Sequence, residues 1–204
     1  MKLRLHKLSF LFLFFSFFIC KVQAQLDVSG SDFLNGYIVT QEQDTIHGFL
    51  ELFDEISSCQ KVHFKESRAD KNMSIYNAED LLAYQRKDEV YVSYNDEYCL
   101  LKNCMNDEGH TVFIKLIDKD ILSVYMYAKD RSDHFYTVNY IPVVQKEGFD
   151  PIPYKGNLHI RKMVSSYFSD YPELANKLRE KEYKNQEFDL VVNDYTTWAK
   201  SSIE

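Results

Sequence analysis

The sequence predicts an α+β protein, with an antiparallel meandering β-sheet of sandwich- or barrel-like form followed by a C-terminal subdomain of about three helices. Two observations carry this prediction. Apolar residues recur with a period of two from Gly36 to about Tyr140, as they do in strands with one buried face. After Pro142 the period becomes that of an α-helix, about 3.6 residues.

The first predicted hairpin is the clearest part of the sheet. Residues 36–40 and 45–50 are rich in β-branched and aromatic side chains, and the polar stretch 41–44 between them is typical of a turn. Val62 and Phe64 alternate with polar neighbours, which indicates a third strand. Further strands are predicted at 90–94, 111–118, 121–129 and 134–140.

One interruption of the strand pattern favours a short helix. Asn77 can cap its first turn, and Glu79 and Asp80 would lie near the positive end of the helix. Leu81, Leu82 and Tyr84 would then supply its apolar contacts.

Glycine and proline crowd the stretch 148–156, which therefore predicts a connection between sheet and helices. A capping box of Asp170 and Glu173 predicts the start of the second helix, and Asn185 the start of the third. The apolar residues of each predicted helix form a stripe along one face, and such stripes favour packing on the chain's own sheet over a partner-binding groove. The stripes of the three helices are Ile160, Met163, Val164, Tyr167 and Phe168; Leu174, Ala175 and Leu178; and Phe188, Val191, Val192, Tyr195 and Trp198.

Residues 1–24 are interpreted as a secretory signal peptide, with a β-rich domain at 25–145 and the helical subdomain at 146–204. Three basic residues precede an apolar run from Leu8 to Cys20, and the small-residue site at 22–24 follows it. The run would reach about 20 Å as a helix, short of the roughly 30 Å that a membrane anchor needs. A lipoprotein acylated at Cys20 is disfavoured because the bulky Ile19 precedes it. We therefore expect export, to the periplasm or to the cell surface.

The charge of the mature chain narrows the possible partners. Cleavage after Ala24 would remove four of the 24 Lys and Arg residues, so that 20 would stand against 31 Asp and Glu residues, a net charge of −11. An acidic surface opposes binding to nucleic acid and to anionic lipid. No second transmembrane candidate occurs after the signal segment, and the length suits one domain with a substantial core.

Three cysteines would survive cleavage: Cys59, Cys99 and Cys104. An odd number permits at most one internal disulfide in an oxidising compartment. Cys99 and Cys104 could pair across a turn, and Cys59 could pair with either, so the sequence leaves the connectivity open.

The chain resembles a group of uncharacterised exported envelope proteins of Bacteroidetes. The resemblance rests on the opening 36–40, on Asp44-Thr45-Ile46-x-Gly48, on 62–65 and 76–81, and on the tail segment 168–174 with its Pro-Glu-Leu. It implies a Gram-negative envelope location and a β-rich domain with a helical tail, and it implies no activity. The group often has a cysteine where Tyr171 stands here. Its glycines and Asp-Thr pair are interpreted as turn residues.

No catalytic, cofactor-binding or metal-ligating residue is assigned from the sequence. The five histidines of the mature chain lack the short spacing of metal ligands, and Cys59 could act with His63 as a thiol and its base only if a turn brought them together. The favoured hypothesis is an exported, non-catalytic interaction or accessory module that contacts another envelope protein or a surface glycan. The alternative is a carbohydrate-binding protein, for which strand tyrosines such as Tyr91 and Tyr140 could stack on sugars, or a hydrolase whose site forms only in the fold.

Overall fold

The structure is a computed structural model, and it describes residues 33–96, 110–130, 138–154, 158–184 and 187–202. All of these belong to one compact unit, residues 32–204. The predicted signal peptide, Cys99, Cys104 and residues 134–137 of the strand predicted at 134–140 lie outside the described residues.

In the described part of the chain, ten strands form one mostly antiparallel sheet in the order β10-β9-β8-β7-β6-β5-β1-β2-β3-β4. The predicted α+β class is confirmed in this broad form. The order is open, with β4 and β10 at its edges, and β5 pairs with β1 instead of following β4. The strands are β1 Phe33–Thr40, β2 Thr45–Glu51, β3 Lys61–Lys65, β4 Ser74–Asn77, β5 Leu81–Arg86, β6 Glu89–Asp96, β7 His110–Lys119, β8 Leu122–Asp130, β9 Val138–Lys146 and β10 Ile152–Pro153.

Four helices are described, and three of them follow the sheet as the sequence predicted. They are α1 Glu55–Ser58, α2 Leu158–Tyr167, α3 Pro172–Glu180 and α4 Phe188–Ser201. The short α1 was not predicted, although its cap is visible in the sequence: the Asp54 carboxylate accepts the backbone N–H of Ser57 at 2.9 Å. None of the described helices combines the length and the apolar character needed to cross a bilayer.

The helix predicted after Asn77 is wrong. The Asp80 carboxylate accepts the Asn77 N–H at 2.8 Å, and the Asp80 N–H donates to the Asn77 carbonyl at 3.1 Å. These bonds close a tight turn between β4 and β5, because an aspartate side chain competes with helical bonding for nearby backbone groups. Leu81 and Tyr84 are buried, as predicted, but they lie on strand β5 and not on a helix.

The predicted capping box at Asp170 is wrong as well. Tyr171 is the N-cap of α3 and makes no side-chain cap bond. Asp170 instead accepts hydrogen bonds from Lys146 at 3.0 Å and from the Tyr195 hydroxyl at 2.6 Å. Asn185 lies outside the described residues, and α4 begins after Glu187.

Strand β9 continues through Pro142, where the sequence pattern suggested that the sheet ends. Pro142 lies opposite Met126 of β8, and the other side of β9 carries only the two-residue β10. A proline is tolerated in such a strand because few ladder bonds on that side are lost.

Two apolar clusters hold the fold together. The central core joins seven of the first eight strands, α1 and β9, and its largest fully buried rings are Tyr84, Tyr91 and Phe113. The second cluster packs the three C-terminal helices on Leu122, Val124 and Val144 of β8 and β9. Apart from Ile160, whose side chain lies outside the described part, and Ala175, which is buried beside the cluster, the predicted apolar stripes of the helices contribute to this cluster and so face the chain's own sheet, as expected.

Candidate functional site

The structure separates the two residues of the hypothetical thiol–base pair. Cys59 ends α1 inside the central core, where its Sγ accepts the Ala128 N–H at 3.4 Å. Burial raises the pKa of the Cys59 thiol to about 11, and the nearby charge of Glu55 adds to the effect. His63 bonds to Glu51 through Nδ1, and its Nε2 has no hydrogen-bond partner among the described residues. The Cys59–His63 pair is therefore not formed.

A carboxylate and a histidine do meet on the outer face of β2 and β3. Glu51 Oε2 lies 2.6 Å from His63 Nδ1, which fixes the imidazole as in a hydrolase acid–base pair. The buried Nε2 contacts no hydroxyl or thiol within hydrogen-bond distance in the described part of the chain, and Phe53 packs edge-on against the ring at 4.7 Å. The geometry orients the imidazole without presenting it to a nucleophile.

A buried arginine organises the polar part of the central core. Arg86 donates to the Glu51 carbonyl at 3.1 Å, to Ser58 Oγ at 3.2 Å and to Glu89 at 2.8 Å. Lys115 binds the second oxygen of Glu89 at 2.5 Å. Burial alone would raise the pKa of Glu89, but the hydrogen bonds from Lys115 and Arg86 outweigh it, so this pKa lies below its usual value.

A small pocket opens beside this network, between α1 and strands β6 to β9. Its volume is about 60 Å³. Five polar or ionisable residues and three apolar ones surround it: Glu55, Cys59, Tyr91, Lys115 and Tyr140, and Ile117, Met126 and Ala128. Register explains this meeting, because Tyr91 lies opposite Lys115, and Lys115 lies opposite Met126.

The free edge of β4 forms a second candidate site. Met73 and Ile75 are 44% and 55% exposed, whereas Tyr76 packs on the central core and anchors the strand. Ile75 lies opposite His63 of β3, so its side chain continues the outer face of the sheet.

Three cations border this edge on the outer face. The Lys65 Nζ lies 4.7 Å from the centre of the Phe33 ring, the guanidinium of Arg68 lies 5.1 Å from that of Phe49, and the Lys61 Nζ lies 6.0 Å from that of Phe53. We call Met73, Ile75, Lys61, Lys65 and Arg68 the β4 edge surface.

Positive charge is concentrated next to β4 in an otherwise acidic protein. Residues 61–72 contain four Lys or Arg and two Asp or Glu, whereas the whole chain has a net charge of −7. The edge therefore attracts acidic partners more than the rest of the surface does.

Gly36 and Gly48 lie inside β1 and β2, directly opposite each other, as the strands predicted at 36–40 and 45–50 imply, and not in turns, as the resemblance suggested. A Cβ on Gly48 would approach the Lys65 carbonyl oxygen to 2.3 Å, and one on Gly36 would approach the Gln85 carbonyl oxygen to 1.9 Å. The two glycines allow the backbones to come close, and they line an open groove of about 540 Å³ on the sheet.

Several of the described strand tyrosines are buried and offer no ring face to a sugar. Tyr91, Tyr125 and Tyr127 are buried, and Tyr136 lies outside the described residues. Tyr140 is about half exposed, and its hydroxyl donates to the Glu55 carboxylate at the pocket.

Metal binding finds no support in the part of the chain that the structure describes, where no group of three or more His, Cys, Asp or Glu side chains could hold an ion. Comparison of the chain with protein-family models, with curated proteins and with solved structures found no match in any of the three. Function is therefore argued from the geometry of the β4 edge surface and of the groove over Gly36 and Gly48.

Proposed function

We propose that this protein is an exported, non-catalytic interaction module of a Gram-negative cell envelope, and that it binds another envelope protein through the β4 edge surface. The observation that carries the proposal is the edge of β4, which pairs with no further strand among the described residues and exposes Met73 and Ile75. An edge strand offers free backbone N–H and C=O groups to an added strand. The export part rests on the signal-like segment 1–24 and on the resemblance to exported proteins.

The partner is an extended segment that carries apolar side chains at alternate positions and acidic ones beside them. An added strand would place alternate side chains on the outer face, next to Ile75. Its carboxylates would then lie near Lys61, Lys65 and Arg68. A second copy of this chain that paired its own β4 edge fits less well, because it would bring the same cations next to each other.

The packing of the reactive side chains agrees with a binding role. The Cys59 thiol is buried with a raised pKa, and the His63 ring is sealed by Phe53 and held by Glu51. These groups serve the core and the sheet instead of facing a substrate.

The test is capture of the tagged protein from gently solubilised native envelopes after zero-length carbodiimide crosslinking, which joins amines to carboxylates in direct contact. We expect one stoichiometric partner, joined through Lys61 or Lys65 to its acidic residues. Ile75→Lys should abolish the capture, because it places a charge where the apolar contact forms.

Leu190→Lys is the matched control, since Leu190 is equally exposed but lies on α4. Retention of the partner by Leu190→Lys and its loss from Ile75→Lys would support the proposal. Equal capture by both variants, or crosslinks between two copies of this chain, would refute it.

A further inference from the structure

The groove over the two paired glycines of β1 and β2 lies on the outer face of the sheet. Its volume is about 540 Å³, within the range of about 300–1,000 Å³ that ligand sites occupy. On either side of the glycines, Asn35 lies opposite Phe49 and Tyr37 lies opposite His47. Because side chains alternate between the two faces of a strand, these four stand on the same face, and the glycine backbone is the floor between them.

Two aromatic rings give this groove apolar surface. Tyr37 and Phe49 are half-buried, so each keeps part of its ring in the solvent. His47 meets the Tyr37 ring in a T-shaped contact with 5.8 Å between the ring centres, and the Arg68 guanidinium lies over Phe49. A half-exposed aromatic ring favours a ligand that has an apolar face of its own.

Polar side chains surround the two rings. Asn35, His47, Glu66 and Asp88 are exposed in the groove, and none of these side chains makes a hydrogen bond with another described residue. An amide, an imidazole and two carboxylates can between them donate and accept hydrogen bonds. A ligand that fits this lining therefore carries donors and acceptors around its edge.

The turn between β5 and β6 is a fixed wall of the groove. The Lys87 N–H donates to the Asn35 carbonyl at 2.9 Å, and the Gln85 side-chain N–H donates to the Lys87 carbonyl at 2.7 Å. These bonds hold Lys87 at φ +54°, a backbone conformation that is uncommon outside glycine. Because the turn is already tied to β1, binding would not have to order it.

The charges at the groove favour an uncharged ligand. Glu66, Asp88 and Lys87 line it, and the side chains of Lys65 and Arg68 stand at its border beside the aromatic rings. Both signs are interspersed, so a phosphate or an ammonium group would meet like charges as well as opposite ones.

We propose that this groove binds a neutral oligosaccharide, with one sugar ring against Tyr37, another against Phe49, and hydroxyl groups on Asn35 and Asp88. A sugar ring has an apolar C–H face for the aromatic rings and an edge of hydroxyls that donate and accept. A purely apolar molecule would leave the polar side chains without partners. The site does not depend on the β4 edge surface, although Arg68 borders both.

The experiment is an NMR titration of the full mature chain that follows the backbone amide signals of Gly36 and Gly48. The probes are four neutral trisaccharides that differ in linkage and ring stereochemistry: maltotriose, cellotriose, mannotriose and galactotriose. Trigalacturonic acid and the glucosamine trimer, which carry negative and positive charge, are the controls. We expect saturable shifts with at least one neutral probe, at a Kd of about 1 mM.

The absence of saturable shifts with all four neutral probes would overturn the proposal. Equal or tighter binding of either charged trisaccharide would overturn the assignment of a neutral ligand. Ile75→Lys should bind the trisaccharide as the parent chain does, so this proposal and that of the protein partner can fail separately.

Asn35→Ala tests the polar contact, because it removes an exposed side chain that makes no hydrogen bond with the described residues. We expect it to raise the Kd about fivefold, the loss associated with one hydrogen bond. Asn139→Ala, at an exposed asparagine of β9, should leave the Kd unchanged.

Tyr37→Ala tests the stacking contact and should raise the Kd about tenfold. Tyr140→Ala is the matched control, since this tyrosine is about half exposed but lies on β9, away from the groove. An unchanged Kd in both Asn35→Ala and Tyr37→Ala would contradict the proposed site.

Discussion

The two ends of the sheet differ in how their apolar side chains are covered. At the β9 and β10 end, three helices cover the apolar side chains of β8 and β9, and Leu174 and Phe168 are almost inaccessible to solvent. At the β4 end a four-residue strand leaves Met73 and Ile75 exposed. The difference indicates that the helical tail is a structural cover for one end, whereas the other end leaves apolar side chains of the described residues exposed.

The joint between tail and sheet centres on Lys146. Its Nζ donates to the Tyr167 carbonyl at 2.8 Å and to Asp170, and it lies within 6 Å of the centres of three aromatic rings, those of Phe149, Tyr167 and Tyr195. The edge cations at the β4 end each lie over a single ring, and one of them, Arg68, donates to the Phe33 carbonyl at 3.5 Å. Lys146 therefore links the helical tail to the sheet at one end, whereas the cations at the other end lie beside an exposed edge.

The largest expected effect is at the covered end. Leu174→Ala should lower the free energy of unfolding by about 4 kcal/mol, because it leaves a cavity under α3. Leu190→Ala, at an exposed position of the same tail, should cost less than about 0.5 kcal/mol. Urea unfolding of both variants measures the contrast, and similar losses would show that the tail is not a packed cover.

The backbones of β1, β2 and β3 lie close together at the β4 end of the sheet. Gly48→Ala should therefore lower the free energy of unfolding by about 3 kcal/mol, because the new methyl group overpacks against Lys65 and Phe64. Gly148→Ala is the control: it has φ +77° and no neighbour within 4 Å, so only backbone strain of about 1 kcal/mol is expected. Thermal unfolding compares the two. A smaller loss of thermal stability for Gly48→Ala than for Gly148→Ala would show that the close approach of the β1, β2 and β3 backbones contributes little to stability.

Lys146→Met should lower the free energy of unfolding by about 2 kcal/mol, because charge-assisted hydrogen bonds to Asp170 and to the Tyr167 carbonyl are lost. Lys177→Met, which breaks an exposed pair with Glu173 on α3, should have no measurable effect. If the two substitutions had equal effects in urea unfolding, Lys146 would not be the residue that links the helical tail to the sheet.

The same joint predicts a pH dependence. Burial alone would raise the pKa of Asp170, but hydrogen bonds from Tyr195 and Lys146 hold it below its usual value of 3.8. Asp170 therefore contributes stability above pH 3.8, and this contribution is lost as the pH falls below that value. Asp170→Asn should weaken the fall in the free energy of unfolding between pH 6 and pH 2. An unchanged pH dependence would argue against the hydrogen bonds of Asp170 with Lys146 and Tyr195.

The smallest expected effect is at the free edge. Ile75→Lys should change the free energy of unfolding by less than about 0.5 kcal/mol, because the side chain is already exposed. Urea unfolding of the isolated variant provides the measurement. A loss above about 2 kcal/mol would place Ile75 in the protein's own core and would undermine the use of this variant as a test of partner binding.

The sequence by itself determined most of the elements. The alternation around Val62 and Phe64 and the spacing of Phe188, Val191 and Tyr195 located a strand and a helix correctly. Such patterns are local, since a strand or helix face repeats within a few residues whatever it packs against. The same locality explains the errors at Asn77 and Asp170, where a side chain that could cap a helix binds a turn or a distant lysine instead.

Tertiary structure alone decided the order of the strands and the composition of the candidate sites. Pairing of β5 with β1 leaves β4 at an edge, although nothing in residues 74–77 marks them as terminal. Tyr91, Lys115 and Met126 share a pocket with Cys59 because of strand register and because α1 packs against the sheet. Register couples residues far apart in sequence, and its free energy comes from packing across the whole sheet, so the periodicity of any one segment does not contain it.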